Sequence, residues 1–392
     1  MAKKPNFLHF IILLSFSAYI QSFTFHFKAT SKTFSKRSLE MIGEGILSKK
    51  MRAAILSKHK GQLEVVELPI PEPENHQILV QVKACGCCHT DLHAMEGDWP
   101  IMSKLPLCPG HEGVGYVRAV GSTVKNFKVG DRVGVPWLHS ACGSCEYCIS
   151  GWETLCTKQL NTGFSVDGGL REYSLADGNY AIKLPDAVSF EQAAPIMCAG
   201  VTSYKGIKET DTKPGDFLCV IGAAGGLGHL AVQYGKAMGL RVIAVDMGKD
   251  KIDYCKSLGA EFGVDVSDTS SGKSVAQIVE EYTQGGAHGV LCLATQASAF
   301  KTGLDMCRRK GTVVCVALPS GTFECPIVDV VIKRVTIRGS IVGTRQDMAE
   351  ALDFAERGLV TCSVQLDRLE NINDVFAKMK KGQILGRVVI QM

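Results

Sequence analysis

Residues 217–247 read FLCVIGAAGGLGHLAVQYGKAMGLRVIAVDM and are the part of the sequence most informative about the fold class. An apolar run rich in β-forming residues, 217–221, leads into a glycine turn, and the apolar spacing that follows is helical up to Gly239. A second apolar run then ends at Asp246. This order of strand, turn, helix, strand and acid predicts a dinucleotide site, because the glycines admit phosphates to the backbone and the helix N-terminus faces their charge.

Outward from this stretch, the same alternation continues along the chain. Short apolar runs at 289–294, 312–318 and 336–341 are separated by polar or helical segments. Alternating strands and helices predict an α/β fold with a doubly wound parallel sheet of the Rossmann type. Because the chain has 392 residues, enough for about two domains, we expect a second unit beside this sheet.

The glycine turn supplies the first candidate cofactor contacts. We expect phosphates to approach the turn at five positions: Gly222, Gly225, Gly226, Leu227 and Gly228. The match to the usual pattern is imperfect, because alignment on the later glycines places Ala223 where the first glycine is expected. Asp246 would accept hydrogen bonds from ribose hydroxyls and repel a 2′-phosphate, which favours NAD over NADP.

The chain has 16 cysteines, and four of them form a compact motif. Cys142, Cys145, Cys148 and Cys156 follow the spacing C-x2-C-x2-C-x7-C. Four thiolates this close suit one tetrahedral Zn²⁺, and a site with four protein ligands is closed and therefore structural. Disulfides and an iron–sulfur cluster are the alternatives. Since zinc thiolates need a reducing compartment, the motif argues against secretion.

A second set of metal-binding residue types is spread over three motifs. Cys88 lies in CGCCHTDLHAMEGDWP (85–100), His111 in PGHEGVG (109–115) and Cys198 in APIMCAG (194–200). Two cysteines and one histidine leave a fourth position open, which is typical of a catalytic zinc. Packing explains each residue equally well when it is taken alone. The set is informative because it accompanies the four-cysteine motif and the dinucleotide turn.

The net charge of +4 is unevenly distributed. Residues 1–50 carry eight Lys or Arg and two acids, whereas residues 51–392 carry 35 and 37. The body therefore has no basic surplus, which argues against nucleic acid as a partner. The segment 1–50, with its apolar run FLHFIILLSFSAYI, is either a targeting segment or an extension upstream of a start at Met51. We expect no membrane span in the body.

With these motifs together, residues 51–392 resemble the zinc-dependent alcohol dehydrogenases of the medium-chain dehydrogenase/reductase superfamily, in particular the tetrameric ethanol-oxidising branch. The resemblance implies a barrel-like, GroES-like, β-rich catalytic domain at 51–199 that carries the structural-zinc lobe. It places an inserted NAD-binding Rossmann domain at 200–335 and a return to the catalytic domain at 336–392. It also implies a homotetramer and two Zn²⁺ per chain. The location would be the cytoplasm, or the mitochondrial matrix if residues 1–50 are a transit peptide.

The resemblance assigns the chemistry to residues around the open zinc site. Zinc on its two cysteines and one histidine, with Glu112 as an exchangeable ligand, would stabilise the alkoxide of an alcohol, which passes a hydride to NAD. Thr90 would take the alcohol proton, and His93 would release it to solvent. Asp91 would orient the histidine ligand.

The resemblance also implies coenzyme contacts outside the glycine turn. His89 and Arg387 would hold the pyrophosphate. Lys251 would support the adenosine ribose, and Ser340 and Val342 in GSIVGTR would contact the nicotinamide amide.

Substrate size is implied by three residues. Trp99 and Trp137 would narrow the pocket to small primary alcohols and their aldehydes. Leu318 stands where this branch often has methionine, so longer or secondary alcohols and ketones stay open. The alternatives are a polyol or aromatic-alcohol dehydrogenase on the same scaffold, a zinc-free quinone reductase, and a non-enzymatic zinc module.

Overall fold

The computed structural model describes residues 50–319 and 321–392. The predicted leader at 1–50 lies outside the described residues except for Lys50, which begins the first strand. Among the described residues, no helix has the length and apolar character needed to cross a membrane.

The first part of the described chain is rich in short strands. Its elements are β1 (Lys50–Ile55), β2 (Glu64–Pro69), β3 (Gln77–Gly86), α1 (His89–Glu96), β4 (Gly113–Val120), β5 (Arg132–Val135), β6 (Leu138–Ser140), α2 (Glu146–Ile149), β7 (Leu160–Asn161), β8 (Tyr173–Asp177) and β9 (Ile182–Lys183). A 3-10 turn, Glu153–Leu155, follows α2.

Helical and alternating elements follow. They are α3 (Phe190–Pro195), a π-helical turn (Ile196–Gly200), α4 (Val201–Lys208), β10 (Phe217–Ile221), α5 (Gly228–Ala237), β11 (Arg241–Asp246), α6 (Lys249–Leu258), β12 (Phe262–Asp265), α7 (Val275–Thr283), β13 (Ala287–Cys292), α8 (Ala297–Met306), β14 (Cys307–Cys315), α9 (Ile327–Lys333) and β15 (Thr336–Gly339). The last elements are α10 (Arg345–Glu356), β16 (Val364–Arg368), a 3-10 turn (Leu369–Asn371), α11 (Ile372–Lys380) and β17 (Arg387–Gln391).

A seven-stranded sheet joins the two ends of the described chain. Its order is β16-β17-β3-β4-β5-β9, with β8 also paired to β3. Strand β17 runs antiparallel to β3, with Val389 opposite Gly86, and the Cys87 N–H donates to the Val388 carbonyl at 2.9 Å. This pairing brings Arg387, near the C-terminus, beside the segment that carries Cys88.

A six-stranded sheet lies between these two segments in the sequence. Its order is β12-β11-β10-β13-β14-β15, and every neighbouring pair is parallel. All five residues of β10 are buried, as expected for a central parallel strand covered on both faces. The predicted doubly wound Rossmann sheet is confirmed. Coenzymes bind such sheets at the carboxyl ends of the strands, where the strand order reverses between β10 and β13.

The strand β15 corrects one detail of the predicted domain limits. Thr336 pairs with Thr312 and Gly339 with Cys315, so the six-stranded sheet continues past the limit predicted at 335. The reason is that the apolar run at 336–341 hydrogen-bonds to β14 before the chain turns away. The other limits, near 50 and 199, stay predictions.

Candidate active site

Four buried side chains meet in one cluster at the edge of the seven-stranded sheet. The ligand atoms of Cys88, His111, Glu112 and Cys198 all lie within 4.8 Å of one another. Cys88 is the residue before α1, and the His111–Glu112 pair precedes β4. Cys198 lies in the π-helical turn, a helix irregularity that occurs frequently at functional sites. The structure therefore brings together residues up to 110 positions apart, the separation of 88 and 198.

Asp91 fixes the geometry of this cluster. Its Oδ1 accepts from Nδ1 of His111 at 2.8 Å and from the Gly110 N–H at 3.1 Å. Its Oδ2 accepts from the Cys88 N–H at 3.0 Å. The other ring nitrogen of His111, Nε2, is buried, has no hydrogen-bond partner among the described residues and can bind a metal. This orientation of a histidine ligand by a carboxylate is common in zinc proteins, so these residues fit the metal.

The pKa values of the two cysteines of the cluster are shifted in opposite directions by the bond between them. A hydrogen bond with Cys198 lowers the pKa of the Cys88 thiol well below its usual value. The same bond raises the pKa of Cys198 well above its usual value. A zinc ion, which binds thiolates, would displace the protons of both thiols.

Glu112 connects the cluster to the coenzyme turn. Its Oε1 accepts from Nη2 of Arg387 at 2.5 Å, and its Oε2 is buried without a partner. Burial raises the pKa of Glu112 to about 7. A Cβ on Gly86 would lie 1.8 Å from Oε2, so only glycine leaves room for this carboxylate. Sequence reasoning missed Gly86, although a glycine at the end of a buried strand is a signal of close approach.

Arg387 also contacts the glycine turn. A Cβ on Gly226 would lie 3.0 Å from Nη1 of Arg387. The guanidinium is buried between Glu112 and this turn, where a pyrophosphate is predicted. The predicted contact of His89 with the pyrophosphate has less structural support, because the His89 side chain is exposed at the start of α1. Both phosphate contacts stay predictions.

The glycine turn has the backbone that close approach of phosphates requires. Gly222 has a φ of +79°, in the left-handed region that favours glycine. A Cβ on Gly228 would lie 2.0 Å from the Gly222 carbonyl oxygen, so α5 packs against the turn only because residue 228 is glycine. Gly225 has a looser contact, with 3.2 Å from its Cβ position to the same oxygen. The tight turn thus begins at Gly222, one residue before the position that alignment gives to Ala223.

Asp246 ends β11 and faces the turn. Its Oδ2 accepts from the Ala224 N–H at 2.9 Å, and its Oδ1 accepts from the Met247 N–H at 2.8 Å. Nζ of Lys251 lies 3.5 Å from Oδ1. The two residues predicted to hold the adenosine ribose are therefore neighbours at the carboxyl end of the parallel sheet.

His229 is a buried residue of this turn that sequence reasoning missed. Its Nδ1 donates to the Gly225 carbonyl at 3.0 Å, and its Nε2 accepts from the Ser363 N–H at 3.2 Å. Burial lowers the pKa of His229 to about 4, so the ring is neutral at physiological pH. The Arg387 N–H donates in turn to the Ser363 carbonyl at 2.8 Å. The His229 ring therefore connects the glycine turn to Ser363, which also binds Arg387.

The loop after β15 has the irregular backbone of a contact segment. Oγ of Ser340 is buried without a partner, and Val342 has a φ of +41°, which a β-branched residue rarely adopts. Thr202 was missed by sequence reasoning, and its buried Oγ1 also lacks a partner. It lies one helical turn after Cys198, a spacing that would have been the signal. A bound ligand would supply the hydrogen-bond partners that these two buried hydroxyls lack in the described residues.

The two residues predicted to relay the alcohol proton lie on α1, three positions apart. Thr90 is partly buried, and His93 is 29% exposed with its Nδ1 3.0 Å from the carboxylate of Asp98. Sequence reasoning missed Asp98. The His93 ring also stacks on Trp99 at 5.1 Å between centroids. Because Nδ1 is paired, Nε2 remains to exchange a proton.

Aromatic rings border the predicted metal ligands. The Trp137 ring meets His111 edge-on at 5.3 Å, and Trp99 lies 6.4 Å from Trp137. Phe164, which the sequence did not indicate, packs within 5.8 Å of both tryptophans. Leu318 is 60% exposed, so its predicted pocket role depends on a contact that the described chain does not form.

The four cysteines of the compact motif form a second cluster. The ligand atoms of Cys142, Cys145, Cys148 and Cys156 lie within 4.8 Å of one another. The Cys142 N–H lies 3.4 Å from the Cys156 sulfur, and all 16 cysteines are free thiols. Hydrogen bonds from the backbone N–H groups of Ser144 and Cys145 lower the pKa of Cys142 to about 5. This donor set fits one tetrahedral zinc.

Comparison with known proteins agrees with this geometry. The alcohol dehydrogenase GroES-like domain matches residues 74–186, and the zinc-binding dehydrogenase family matches residues 226–357. An alcohol dehydrogenase of Geobacillus stearothermophilus is 52% identical over 87% of this chain and 100% of its own length. The chain belongs to the zinc-binding alcohol dehydrogenase family. The predictions of this family, of its fold and of an oxidoreductase are thereby confirmed.

Other members of the family extend the comparison. An alcohol dehydrogenase of Moraxella sp. is 51% identical over 87% of this chain and 99% of its own length. The crystal structure of the Aeropyrum pernix alcohol dehydrogenase is 30% identical, with a TM-score of 0.79 over 87% of this chain and all of that one. Acetophenone reductase from Geotrichum candidum, solved with NAD, is 28% identical, with a TM-score of 0.77 over 88% of this chain and 97% of that one.

Proposed function

We propose that this family member oxidises small primary alcohols to aldehydes with NAD and catalyses the reverse reaction. The observation that carries the proposal is the buried cluster of Cys88, His111 and Cys198, with the unpartnered Nε2 of His111. Through Glu112 and Arg387 this cluster adjoins the glycine turn. A metal site and a coenzyme turn in contact are what hydride transfer from an alcohol requires.

The residues of the chain divide the work of the reaction. When bound, Zn²⁺ supplies Lewis-acid chemistry that lowers the pKa of an alcohol. Asp91 holds the histidine ligand in the tautomer that presents Nε2. Asp246 and Lys251 orient the adenosine ribose, and the aromatic rings exclude water from the reacting carbon. Ser340 and Val342 orient the nicotinamide amide.

Thr90 and His93 provide the way out for the alcohol proton in this proposal. His93→Gln should slow turnover, and the loss should grow as the pH falls, because hydroxide, the replacement acceptor, becomes scarcer. The measurement is kcat for alcohol oxidation against pH, with zinc content as the control. An unchanged pH profile would count against the relay.

The substrate class is tested by a steady-state series of ethanol, butanol, cinnamyl alcohol and sorbitol. Trp99, Trp137 and Phe164 crowd the approach to His111, which favours the shorter alcohols. Highest kcat/KM on sorbitol or cinnamyl alcohol would favour the polyol or aromatic-alcohol dehydrogenase instead. The Sorghum bicolor cinnamyl alcohol dehydrogenase, 27% identical with a TM-score of 0.79 over 88% of this chain, shows that the scaffold serves an aromatic substrate.

The other two alternatives fit the described residues less well. A zinc-free quinone reductase has no use for the buried cluster around His111. A non-enzymatic zinc module would need only the four-cysteine cluster. We therefore propose two zinc ions per chain, one at each cluster, and metal analysis of the purified chain counts them.

We propose a homotetramer, and α9 offers a surface for a second copy. Its residues Ile327, Val328, Val331 and Ile332 are between 61% and 79% exposed. The neighbouring β15 is the outer strand of its sheet, so a second copy can add its own β15 edge to edge in an isologous contact.

Val331→Lys should lower the mass measured by light scattering, because a charge would be buried in this contact. Val129→Lys, at a residue 54% exposed on another part of the chain, is the control. An unchanged mass for the Val331 variant, or a wild-type monomer, would refute this surface.

We propose the cytoplasm or the mitochondrial matrix as the compartment of this protein. Sixteen free thiols and two thiolate clusters suit the reducing cytoplasm or mitochondrial matrix. Fusion of residues 1–50 to a fluorescent reporter distinguishes the two.

A further inference from the structure

The lobe that carries the four-cysteine cluster contacts helix α10 through Glu153, the residue three positions before Cys156. The Glu153 carboxylate is only 8% exposed. It accepts from Nε of Arg345 at 3.0 Å, from Nη2 at 2.7 Å and from the Arg345 backbone N–H at 3.0 Å. These two residues are 192 positions apart in the sequence.

The contact fixes the beginning of α10. Arg345 is the first residue of this helix, and N–H groups of a first helical turn have no acceptor within the helix. A carboxylate there satisfies the N–H and is favoured by the helix dipole. Nη1 of Arg345 also donates to the Asn179 carbonyl at 2.8 Å. Thr344 is the N-cap of α10, and Glu153, from a distant part of the chain, adds an acceptor for the Arg345 N–H.

The residues just before α10 are those predicted to contact nicotinamide. Val342 holds its φ of +41° three residues before Arg345. A strained conformation persists only when its surroundings hold it on both sides. On one side, the Ser340 N–H donates to the Cys315 carbonyl at 3.0 Å. On the other side, Thr344 is anchored by hydrogen bonds with Asp347, and the next residue, Arg345, is anchored by Glu153.

The neighbouring residue Trp152 makes a second contact between the four-cysteine lobe and a helix, in this case α4. Nζ of Lys205 lies 4.5 Å from the centroid of the Trp152 ring, within cation–π distance. Helix α4 begins three residues after Cys198. Lys205 also reaches Asp347 of α10, at 3.7 Å. The four-cysteine lobe therefore touches both helices that flank the predicted nicotinamide site.

We propose that Glu153 is a positioning residue for the coenzyme: it holds the 340–344 loop in the strained form that binds nicotinamide. The four-cysteine lobe would then have a function beyond stability. Metal binding at Cys156 would fix the backbone of the lobe, and this backbone sets the position of Glu153. This inference rests on the proposed function, in which Ser340 and Val342 face nicotinamide.

The test is Glu153→Gln in the full-length, zinc-loaded enzyme. The variant keeps the size of the side chain and loses the charge that holds Arg345. The Kd for NADH, from fluorescence titration, and the KM for NAD should each rise about tenfold, the effect of one charge-assisted hydrogen bond. The kcat at saturating NAD and the zinc content should stay close to wild type.

Glu172→Gln is the matched control. Glu172 binds Arg52 in the same manner, through Nε at 3.0 Å and the backbone N–H at 2.8 Å, and its partner lies 120 residues away in β1. This variant should lower the melting temperature by a similar amount and leave the KM for NAD unchanged. Arg345→Met and the double variant complete the set, and the effects of the two changes on the Kd should not add.

The outcomes separate the two levels of the proposal. If wild type reduces NAD but Glu153→Gln changes only the melting temperature, as Glu172→Gln does, the positioning role is refuted and the proposed function stands. If Glu153→Gln does not fold, Arg345→Met supplies the same comparison. If wild type itself neither binds NADH nor oxidises alcohols, the proposed function fails first.

Discussion

Cys88→Ser is expected to remove nearly all alcohol oxidation and one zinc ion per chain. The cysteine is one of three proposed ligands in a buried cluster, and a serine hydroxyl is a poor replacement for a thiolate. Lewis-acid stabilisation is worth several kcal/mol, so we expect kcat/KM to fall by about 10³-fold or more. The measurement combines steady-state kinetics with zinc analysis by mass spectrometry.

Cys87→Ser is the matched control for this prediction. Cys87 is the preceding residue, is equally buried and belongs to neither cysteine cluster. Its thiol has a pKa raised by burial, as for a neutral core residue. The control should keep both zinc ions and most of the activity. Retained alcohol oxidation in Cys88→Ser with full zinc content would refute the assignment of the catalytic metal.

Gly228→Ala is expected to have the second large effect, on the coenzyme turn. The added Cβ would lie 2.0 Å from the Gly222 carbonyl oxygen and 2.6 Å from Ala223 backbone atoms, so α5 must move away from β10. The atoms that the new Cβ meets belong to the backbone, which cannot move aside as the end of a flexible side chain can. We expect the free energy of unfolding to fall by about 3 kcal/mol or more, with NADH binding lost. Thermal unfolding and fluorescence titration measure the two effects.

Gly339→Ala is the control for stability in the same sheet. Its added Cβ would meet no atom within 4 Å, and its φ lies outside the left-handed region. It should unfold close to wild type. A Gly228→Ala variant that is as stable as Gly339→Ala and binds NADH normally would show that the turn adapts, contrary to the packing described above.

Local pattern predicted the parts of the fold that depend on short stretches of chain. The strand, turn and helix at 217–237 are set by burial, glycine conformation and apolar spacing, which neighbouring residues determine. The four-cysteine cluster was predictable for the same reason, since spacers of two residues bring sulfurs together. The glycine turn was predicted to begin at Gly222, and Gly222 has the positive φ that favours glycine.

Contacts between distant segments were not predictable from pattern. The Glu112–Arg387 pair joins residues 275 positions apart, and Glu153–Arg345 joins residues 192 positions apart. His229 and Ser363 are 134 positions apart. Each pair depends on the tertiary packing of segments that are distant in sequence. A single charged residue or histidine in a sequence is usually explained by solvent exposure or by core packing, so it does not indicate its partner. The resemblance supplied roles for Glu112 and Arg387 separately, but it did not indicate that they bond to each other.

In the proposed function, the cluster of Cys88, His111 and Cys198 holds the zinc ion at which NAD-dependent alcohol oxidation takes place. The most direct measurement is NADH formation from ethanol while zinc is removed by a chelator and restored, with bound zinc counted at every step. We predict that activity follows the occupancy of the zinc ion at this cluster and falls to zero when only the four-cysteine cluster holds zinc. Full turnover with this cluster empty would contradict the account.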